Sequence, residues 1–173
     1  LVTGGAGFIG SHLVEQLVKN NVNVLVVDNL LTGKKSNIDK LENVEKIYDD
    51  LGSDPSLRAI ETFNPNVCFH LAAQSSVVIS VEDPLLDFEH NLLQPIKLLQ
   101  KLTHTDCKKF VFSSSGGTIF GEPNVIPTSE KDYAGEPVSP YGVAKKKLND
   151  FIKLMLQEKN MSYSILNLAN VYG

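Results

Sequence analysis

A tyrosine and a lysine four positions apart, Tyr141 and Lys145, form the pair with the clearest capacity for acid–base chemistry. Both lie near the start of a predicted helix, where this spacing puts the two side chains on one face, about a turn apart. A free phenol has a pKa of about 10 and is therefore a poor base at neutral pH. A neighbouring ammonium stabilises the phenolate and lowers that pKa, so the pair is a candidate general base.

Three consecutive serines, Ser113–Ser115, offer this pair a partner because they follow the apolar run Phe110–Phe112. Their hydroxyls are predicted to lie at the carboxyl edge of a sheet. There, one of them can hydrogen-bond a substrate alcohol and relay its proton to Tyr141. A serine-rich turn that caps its own backbone is the alternative interpretation of the same run.

The first ten residues combine a short apolar run with four glycines, Gly4, Gly5, Gly7 and Gly10, and lead into an amphipathic stretch at 11–19. Both G-x-G-x-x-G and G-x-x-G-x-x-G spacings occur among them. A strand, a glycine turn and a helix N-terminus in this order form a site for a dinucleotide pyrophosphate, because unpaired N–H groups and the positive helix end face the anion. A plain strand-to-helix connection is the alternative, and the flanking strand and helix favour the dinucleotide site.

Asp28 closes the next predicted strand, 22–27, about 20 residues after the last of these glycines. A carboxylate at this position can accept both hydroxyls of an adenosine ribose and repels a 2′-phosphate, which favours NAD over NADP. Lys34 and Lys35 follow shortly afterwards and leave NADP open. A bound oxidised nicotinamide ring would add a second positive charge beside Tyr141.

Predicted strands alternate with predicted helices along the chain. The strands are 1–3, 22–27, 44–48, 67–71, 109–113 and 162–168, and the helices are 8–19, a short piece at 37–41, 55–63, 84–103 and 141–159. This alternation predicts one α/β domain, 1–173, with a doubly wound, Rossmann-like parallel sheet covered on both faces. The long irregular stretch 116–137 follows the carboxyl end of a strand, where such sheets bind ligands.

Composition argues against several functional classes. The net charge of −4 offers no basic face for nucleic acid, and no apolar run is long enough for a membrane-spanning helix. Cys68 and Cys107 are predicted to be reduced thiols and no signal peptide is visible, which together indicate a cytoplasmic protein. The histidines are not grouped as metal ligands, so we expect no metal site at His12, His70, His90 or His104.

Taken together, these motifs resemble those of the extended short-chain dehydrogenase/reductase family. Within that family, the chain is most similar to NAD-dependent nucleotide-sugar epimerases of the UDP-glucose 4-epimerase type. The similarity covers the whole length and includes the segments 80–84, 139–142 and 170–173. The residues that carry it are Thr3-Gly4-x-x-Gly7-x-x-Gly10, Asp28, His70-Leu-Ala-Ala-Gln74, Asn91, Ser113-Ser-Ser115 and Tyr141-x-x-x-Lys145.

The resemblance implies a role for each matching residue. Tyr141 is expected to act as base and acid at the sugar hydroxyl, Lys145 to hold the nicotinamide ribose and lower the pKa of Tyr141, and Ser115 to orient the hydroxyl. Ser114 is the alternative to Ser115, because this segment is one residue longer than the commonest family form. Asn170 is expected to contact the phosphate side of the substrate. Cofactor contacts are expected from Gly4, Gly7, Phe8, Ile9, Gly10, Asp28, Asn29, Asp50, Leu51, Leu71, Ala72, Ala73, Asn91 and Ser113, together with Tyr141 and Lys145.

The implied activity is epimerisation at C4 of UDP-glucose and UDP-galactose through a transient 4-keto sugar, with NAD regenerated in each cycle. A homodimer through helices 84–103 and 141–159 is expected from the same resemblance. The chain opens within a predicted strand and stops after another, whereas family members continue into a smaller substrate domain. We therefore expect a fragment truncated at both ends, without its C-terminal substrate domain.

Other activities are open at this point. A nucleotide-sugar dehydratase is disfavoured, because Gly116 and Gly117 occupy the place of the acid pair with which those relatives eliminate water. A nucleotide-sugar reductase or decarboxylase would use the same tyrosine–lysine core. An NAD-binding module or fragment without turnover is the alternative outside enzymes.

Overall fold

The computed structural model describes residues 1–123, 125, 127–129 and 135–173. Within these residues, six strands form one sheet in the order β3–β2–β1–β4–β5–β6. The strands are β1 (Val2–Thr3), β2 (Val24–Val27), β3 (Val44–Ile47), β4 (Val67–His70), β5 (Lys109–Ser115) and β6 (Ser162–Leu168). Each neighbouring pair is parallel, so the predicted α/β class with a doubly wound, Rossmann-like sheet is confirmed.

The direction of winding reverses between β1 and β4. From β1 the chain moves outward through β2 to β3, crosses back to β4, and then moves the other way through β5 to β6. Since all the strands are parallel, their carboxyl ends lie along one edge. A crevice forms outside this edge at the reversal, which is where open α/β sheets bind ligands.

Helices cover both faces of the sheet. Their bounds are α1 (Phe8–Lys19), α2 (Asp54–Phe63), α3 (Val77–Glu82), α4 (Pro84–Phe88), α5 (Gln94–Leu102) and α6 (Pro140–Leu156), with a 3-10 turn at Lys35–Asn37 and a π-helical turn at Glu89–Leu93. Val14 of α1 packs with Val26 of β2 in one buried cluster, whereas Leu98 of α5, Ile152 of α6 and Phe110 of β5 share another. None of the helices in the described residues is long and apolar enough to cross a membrane.

A side-chain cap fixes the start of α6. Ser139 Oγ accepts a hydrogen bond from the Gly142 N–H at 3.1 Å, and Pro140 occupies the first turn. Proline is favourable there because its fixed φ suits the helix and its missing N–H would have no partner within the helix. The cap places Tyr141 in the first turn of α6 and Lys145 one turn later.

Three helical regions differ from the prediction. In place of the short helix predicted at 37–41, the structure has a 3-10 turn at Lys35–Asn37. The predicted helix 84–103 is divided into α4, the π-helical turn and α5. Pro95 lacks the N–H that would bond the Asn91 carbonyl and its ring crowds that carbonyl, so regular α geometry is lost just before it. Helix α3 was not predicted from the sequence, because the β-branched run Val77–Ile79 is typical of a strand. A cap overrides that preference, since the Ser76 hydroxyl accepts the N–H three residues later.

The serine run lies inside the sheet. β5 extends to Ser115 rather than ending at Ser113, and Ser113–Ser115 pair in register with Leu166–Leu168 of β6. The alternative of a self-capping serine turn is therefore wrong. Part of the irregular stretch predicted at 116–137 lies outside the described residues.

His70 on β4 is buried in the core, with 1% of its surface exposed. Its Nδ1 lies 2.7 Å from Thr3 Oγ1, and its ring stacks on Phe112 with the centroids 5.5 Å apart. Burial, reinforced by the nearby Lys145 charge, lowers the pKa of the imidazole to about 3. The ring is therefore neutral and structural.

We expect acid to destabilise the fold through His70. The ordinary imidazole pKa is 6.5, so below that pH the unfolded state binds a proton that the folded state does not, and stability falls with pH. His70 contributes a slope of about 1.4 kcal/mol per pH unit. In urea titrations below pH 6.5, His70→Asn should lose this slope, whereas His104→Asn, a control at an exposed position, should keep it. Equal slopes in all three proteins would contradict a buried neutral ring.

Candidate active site

The glycine turn brings together backbone segments that a side chain would separate. Gly4 has a left-handed backbone with φ of +70°, and a Cβ built on it would lie 2.6 Å from the Ala72 backbone nitrogen. A Cβ on Gly10 would collide with the Gly4 carbonyl oxygen. Gly4 is therefore required by its conformation and by its contact with the segment after β4, and Gly10 by the packing of α1 on the turn.

The N-terminus of α1 faces the cleft beside this turn. Gly7 is its extended N-cap residue, and no side chain among the described residues caps the helix there. Phe8, Ile9 and Gly10 line the cleft. The first N–H groups of α1 and the positive end of its dipole are thus available to a ligand, which is the arrangement that binds phosphate oxygens.

Asp28 is held at the end of β2 by two backbone hydrogen bonds. Its Oδ2 accepts from the Ala6 N–H and its Oδ1 from the Leu30 N–H, each at 2.8 Å. The residue is 7% exposed and lines the cleft. Each carboxylate oxygen keeps a further lone pair, so the group is fixed in place and can still accept a hydroxyl.

Tyr141 and Ser115 both line the cleft. Burial raises the pKa of Tyr141 above its ordinary value, the Ser115 side chain offsets part of that rise, and the Asp87 charge adds to it. The expectation of a lowered pKa is therefore wrong for these residues by themselves, because desolvation of the phenolate outweighs the favourable contacts.

Ser114, the alternative hydroxyl, also lines the cleft but has a different environment. It is 4% exposed, and its Oγ is buried without a hydrogen-bond partner among the described residues. The alternation of side chains along β5 explains the difference, since adjacent strand residues point to opposite faces. The geometry favours Ser115 as the partner of Tyr141.

Lys145 is a buried cation directly behind Tyr141. The residue is 3% exposed, and its Nζ donates to the Ser113 carbonyl at 3.0 Å. The ammonium also lies 4.7 Å from the centroid of the Phe112 ring and 5.8 Å from that of Tyr141. Burial lowers the pKa of Lys145 to about 8, against the opposing attraction of Asp87. The side chain is therefore mostly charged at neutral pH.

Most of the predicted site residues border one cleft of about 790 Å³, which joins the glycine turn to Tyr141. Three of them, Lys145, Asn91 and Asp50, do not line it. Lys145 and Asn91 are buried. Asp50 accepts a hydrogen bond from Asn29 Nδ2 at 2.8 Å, and its neighbour Asp49 lines the cleft instead. Those that line it are Gly4, Gly7, Phe8, Ile9, Gly10, Asp28, Asn29, Leu51, Leu71, Ala72, Ala73, Ser113, Ser115, Tyr141 and Asn170.

A buried polar cluster behind the cleft was not predicted from the sequence. The Asn91 side chain accepts the Gln74 N–H at 3.1 Å and donates to the Gln74 carbonyl at 2.8 Å. Asn91 Nδ2 and Gln74 Nε2 also donate to Asp87 Oδ1, at 2.8 and 2.9 Å. The cluster fixes the cleft-lining segment after β4 against the π-helical turn. Its only sequence signal is the spacing of four between Asp87 and Asn91.

The histidines do not form a metal site in the part of the chain that the structure describes. His12 Nδ1 lies 2.9 Å from the Phe8 carbonyl oxygen within α1, and His70 belongs to the core. His90 lines the cleft on the π-helical turn. These positions are too dispersed to share an ion.

Known proteins resemble this chain in both sequence and fold. The model of the NAD dependent epimerase/dehydratase family matches residues 1–173. The UDP-glucose 4-epimerase of Thermus thermophilus, solved in complex with NAD, superposes with a TM-score of 0.92 at 41% identity, covering 99% of this chain and 55% of that one. The Thermotoga maritima UDP-glucose 4-epimerase, solved with UDP-glucose, gives a TM-score of 0.93 at 41% identity and the same coverage, 99% and 55%.

A curated relative gives the same result. The UDP-glucose 4-epimerase of Mycolicibacterium smegmatis is 36% identical over 176 residues, which cover 100% of this chain and 56% of the relative. The chain thus spans about half the length of the curated relatives it matches. Because the family model extends over every residue, the chain belongs to the NAD dependent epimerase/dehydratase family.

Proposed function

We propose that the full-length protein is an NAD-dependent nucleotide-sugar epimerase that interconverts UDP-glucose and UDP-galactose at C4. The observation that carries this proposal is that Tyr141 and Ser115 line the same cleft as a glycine cradle. A phenol and a hydroxyl so placed can exchange a proton with a sugar alcohol. The names and bound ligands of the related structures support the same substrate class.

The cleft fits a dinucleotide. The glycine turn has no room for a Cβ on Gly4 or Gly10, and the open N-terminus of α1 suits a pyrophosphate. Asp28 is fixed as an acceptor and supports NAD over NADP, since a carboxylate repels a 2′-phosphate. NAD held by these residues would supply the redox half of the reaction, accepting a hydride from the sugar carbon and giving it back on the opposite face of the sugar.

The residues of the chain supply the acid–base half. Tyr141 accepts the proton of the sugar 4-hydroxyl and later returns it, while Ser115 hydrogen-bonds the hydroxyl and keeps it aligned with the phenol. The raised pKa of Tyr141 favours the return of the proton. Its removal requires added positive charge, which comes from the Lys145 ammonium and from the oxidised nicotinamide ring. We assign Asn170, in the wall beyond β6, to the phosphate side of the substrate.

The glycines after β5 support epimerisation over dehydration. A Cβ on Gly116 would lie 2.9 Å from the Asn167 backbone oxygen, so this position has no space for an acidic side chain. Gly117 lines the cleft without any side-chain functional group. The cleft therefore lacks, at this place, the acid pair with which dehydratases of this type eliminate water.

We also propose a cytoplasmic homodimer. The two predicted interface segments, 84–103 and 141–159, carry large exposed apolar side chains. Leu85 on α4 is 84% exposed, Leu93 on the π-helical turn 48% and Leu154 on α6 70%. Burying such a surface against a second copy would remove it from water. The free, buried thiols of Cys68 and Cys107 suit a reducing compartment.

Gly10→Ala should abolish cofactor binding, because its Cβ would displace the Gly4 carbonyl and widen the turn. We expect purified full-length Gly10→Ala to contain no bound NAD, measured by chromatography of the extract after denaturation. Gly117→Ala is the matched control, since no described atom lies within 4 Å of a Cβ there, and it should retain NAD. Full NAD content in Gly10→Ala would refute the proposed cradle.

Tyr141→Phe should lower kcat about 10²–10⁴-fold, the usual contribution of general acid–base catalysis. The assay is conversion of UDP-galactose to UDP-glucose without added NADH, which also separates epimerisation from net reduction. Ser115→Ala should lower kcat about 10–100-fold, as expected for a lost hydrogen bond to a charged group. Ser114→Ala, the neighbouring control, should change kcat less than about twofold. Wild-type protein that binds NAD but converts no sugar would instead favour a binding module.

Leu154→Glu should convert the dimer to a monomer, because a carboxylate would be buried within the proposed interface. Analytical ultracentrifugation of the full-length protein measures this directly. Val22→Glu is the control, since Val22 is 45% exposed and follows α1, on the other face of the sheet. A monomeric wild type, or an unchanged Leu154→Glu dimer, would contradict the proposal.

A further inference from the structure

One polar side chain in the cleft wall has no partner and no part in the proposed reaction. Gln94, in the first turn of α5, is 6% exposed and lines the cleft. Its side-chain amide makes no hydrogen bond to any of the described residues. An amide has two N–H donors and an oxygen acceptor, and leaving them unpaired away from bulk water is costly. The Gln94 amide is therefore free to bind a ligand in the cleft.

Gln94 lies toward the β3 side of the cleft. A Cβ on Gly52 would lie 3.0 Å from Gln94 Cγ, so the glutamine side chain packs against the segment that follows β3. β3 pairs with β2, the strand that ends at Asp28. Because the carboxyl ends of parallel strands lie along one edge, the Gln94 amide and the Asp28 carboxylate are at the same end of the cleft.

The part of a dinucleotide that reaches this end is its adenine. In the proposed binding mode, the pyrophosphate lies at the N-terminus of α1 and the adenosine ribose at Asp28. The base then lies beyond Asp28, between the segments that follow β2 and β3. Leu31 and Leu51, one from each of these segments, line the cleft and offer apolar surface to the faces of the base. Gln94 is the amide that can meet its edge.

The other polar groups at this end are already engaged. Asn29 Nδ2 donates to Asp50 Oδ1 at 2.8 Å, and Asn29 Oδ1 accepts a backbone N–H at 3.0 Å. The Asp49 carboxylate accepts the next backbone N–H at 2.7 Å and the Ser53 hydroxyl at 2.9 Å. A carboxylate also has no donor. Among the described residues that line this end, Gln94 thus carries the uncommitted amide.

We propose that Gln94 determines the base specificity of the cofactor site by hydrogen-bonding the N6–N7 edge of adenine. This inference rests on the proposed function for the identity of the cofactor. A glutamine amide is complementary to that edge, since its oxygen accepts from the 6-amino group while its nitrogen donates to N7. Hypoxanthine presents two acceptors there, O6 and N7, so the amide oxygen would oppose another oxygen.

Competition between NAD and nicotinamide hypoxanthine dinucleotide tests the inference. In this analogue an oxygen replaces the 6-amino group of the base. The full-length protein is equilibrated with equal concentrations of the two, separated from free ligand and denatured, and the released dinucleotides are quantified by chromatography. We expect the wild type to bind about ten molecules of NAD for each molecule of analogue, as for one lost hydrogen bond and one opposed acceptor.

Gln94→Leu should bind the two dinucleotides in equal amounts, because leucine is similar in size and has no polar group. Gln100→Leu is the matched control. It makes the same substitution at an exposed position of the same helix and should keep the wild-type ratio. Equal binding of the two dinucleotides by the wild type, or a wild-type ratio in Gln94→Leu, would overturn the inference.

A second variant covers the case in which Gln94→Leu does not fold. In Gln94→Glu the carboxylate still accepts from the 6-amino group of adenine but repels O6 of hypoxanthine, so the ratio should rise severalfold above that of the wild type. A ratio at or below the wild-type value would overturn the inference. A wild type that binds neither dinucleotide would refute the proposed cofactor itself, whereas one that epimerises UDP-galactose but binds both equally would overturn the role of Gln94 alone.

Discussion

Burial of the Lys145 ammonium is the constraint on which the rest of the site depends. An ammonium that is 3% exposed needs compensation, and two elements provide it. β5 supplies the Ser113 carbonyl and the face of the Phe112 ring, and α4 supplies the Asp87 charge. The same strand also carries Ser115. The register of β5 therefore determines both the compensation of the Lys145 charge and the position of the Ser115 hydroxyl.

The opposite end of the cleft depends on close approach of backbone to backbone. β1 is only two residues long, yet it lies at the centre of the sheet and delivers Gly4 against the Ala72 backbone. The polar cluster around Asn91 then fixes the segment that follows Ala72. The glycine turn is therefore connected to the buried cluster through residues 72–74, and a change in that cluster is expected to reach the turn.

The sequence predicted the parts of the site that depend on local spacing. The glycine turn, the Asp28 strand end and the Tyr141–Lys145 pair are each defined by neighbours in sequence. It did not predict the buried hydrogen bond from Gln74 to Asp87, which joins two separate segments, or α3, whose β-branched residues are overridden by a cap. Without a cofactor the pKa of Tyr141 is raised rather than lowered, because spacing reveals a neighbouring charge but not the depth of burial that opposes it.

In the proposed reaction, ionisation of the buried Tyr141 phenol depends on the positive charges beside it. Near-ultraviolet difference spectroscopy of the full-length protein, with Tyr141→Phe as reference, measures that ionisation directly. The account predicts a Tyr141 pKa above its ordinary value of about 10 without cofactor and a large fall when oxidised NAD is bound. A pKa that is the same with and without NAD would contradict it.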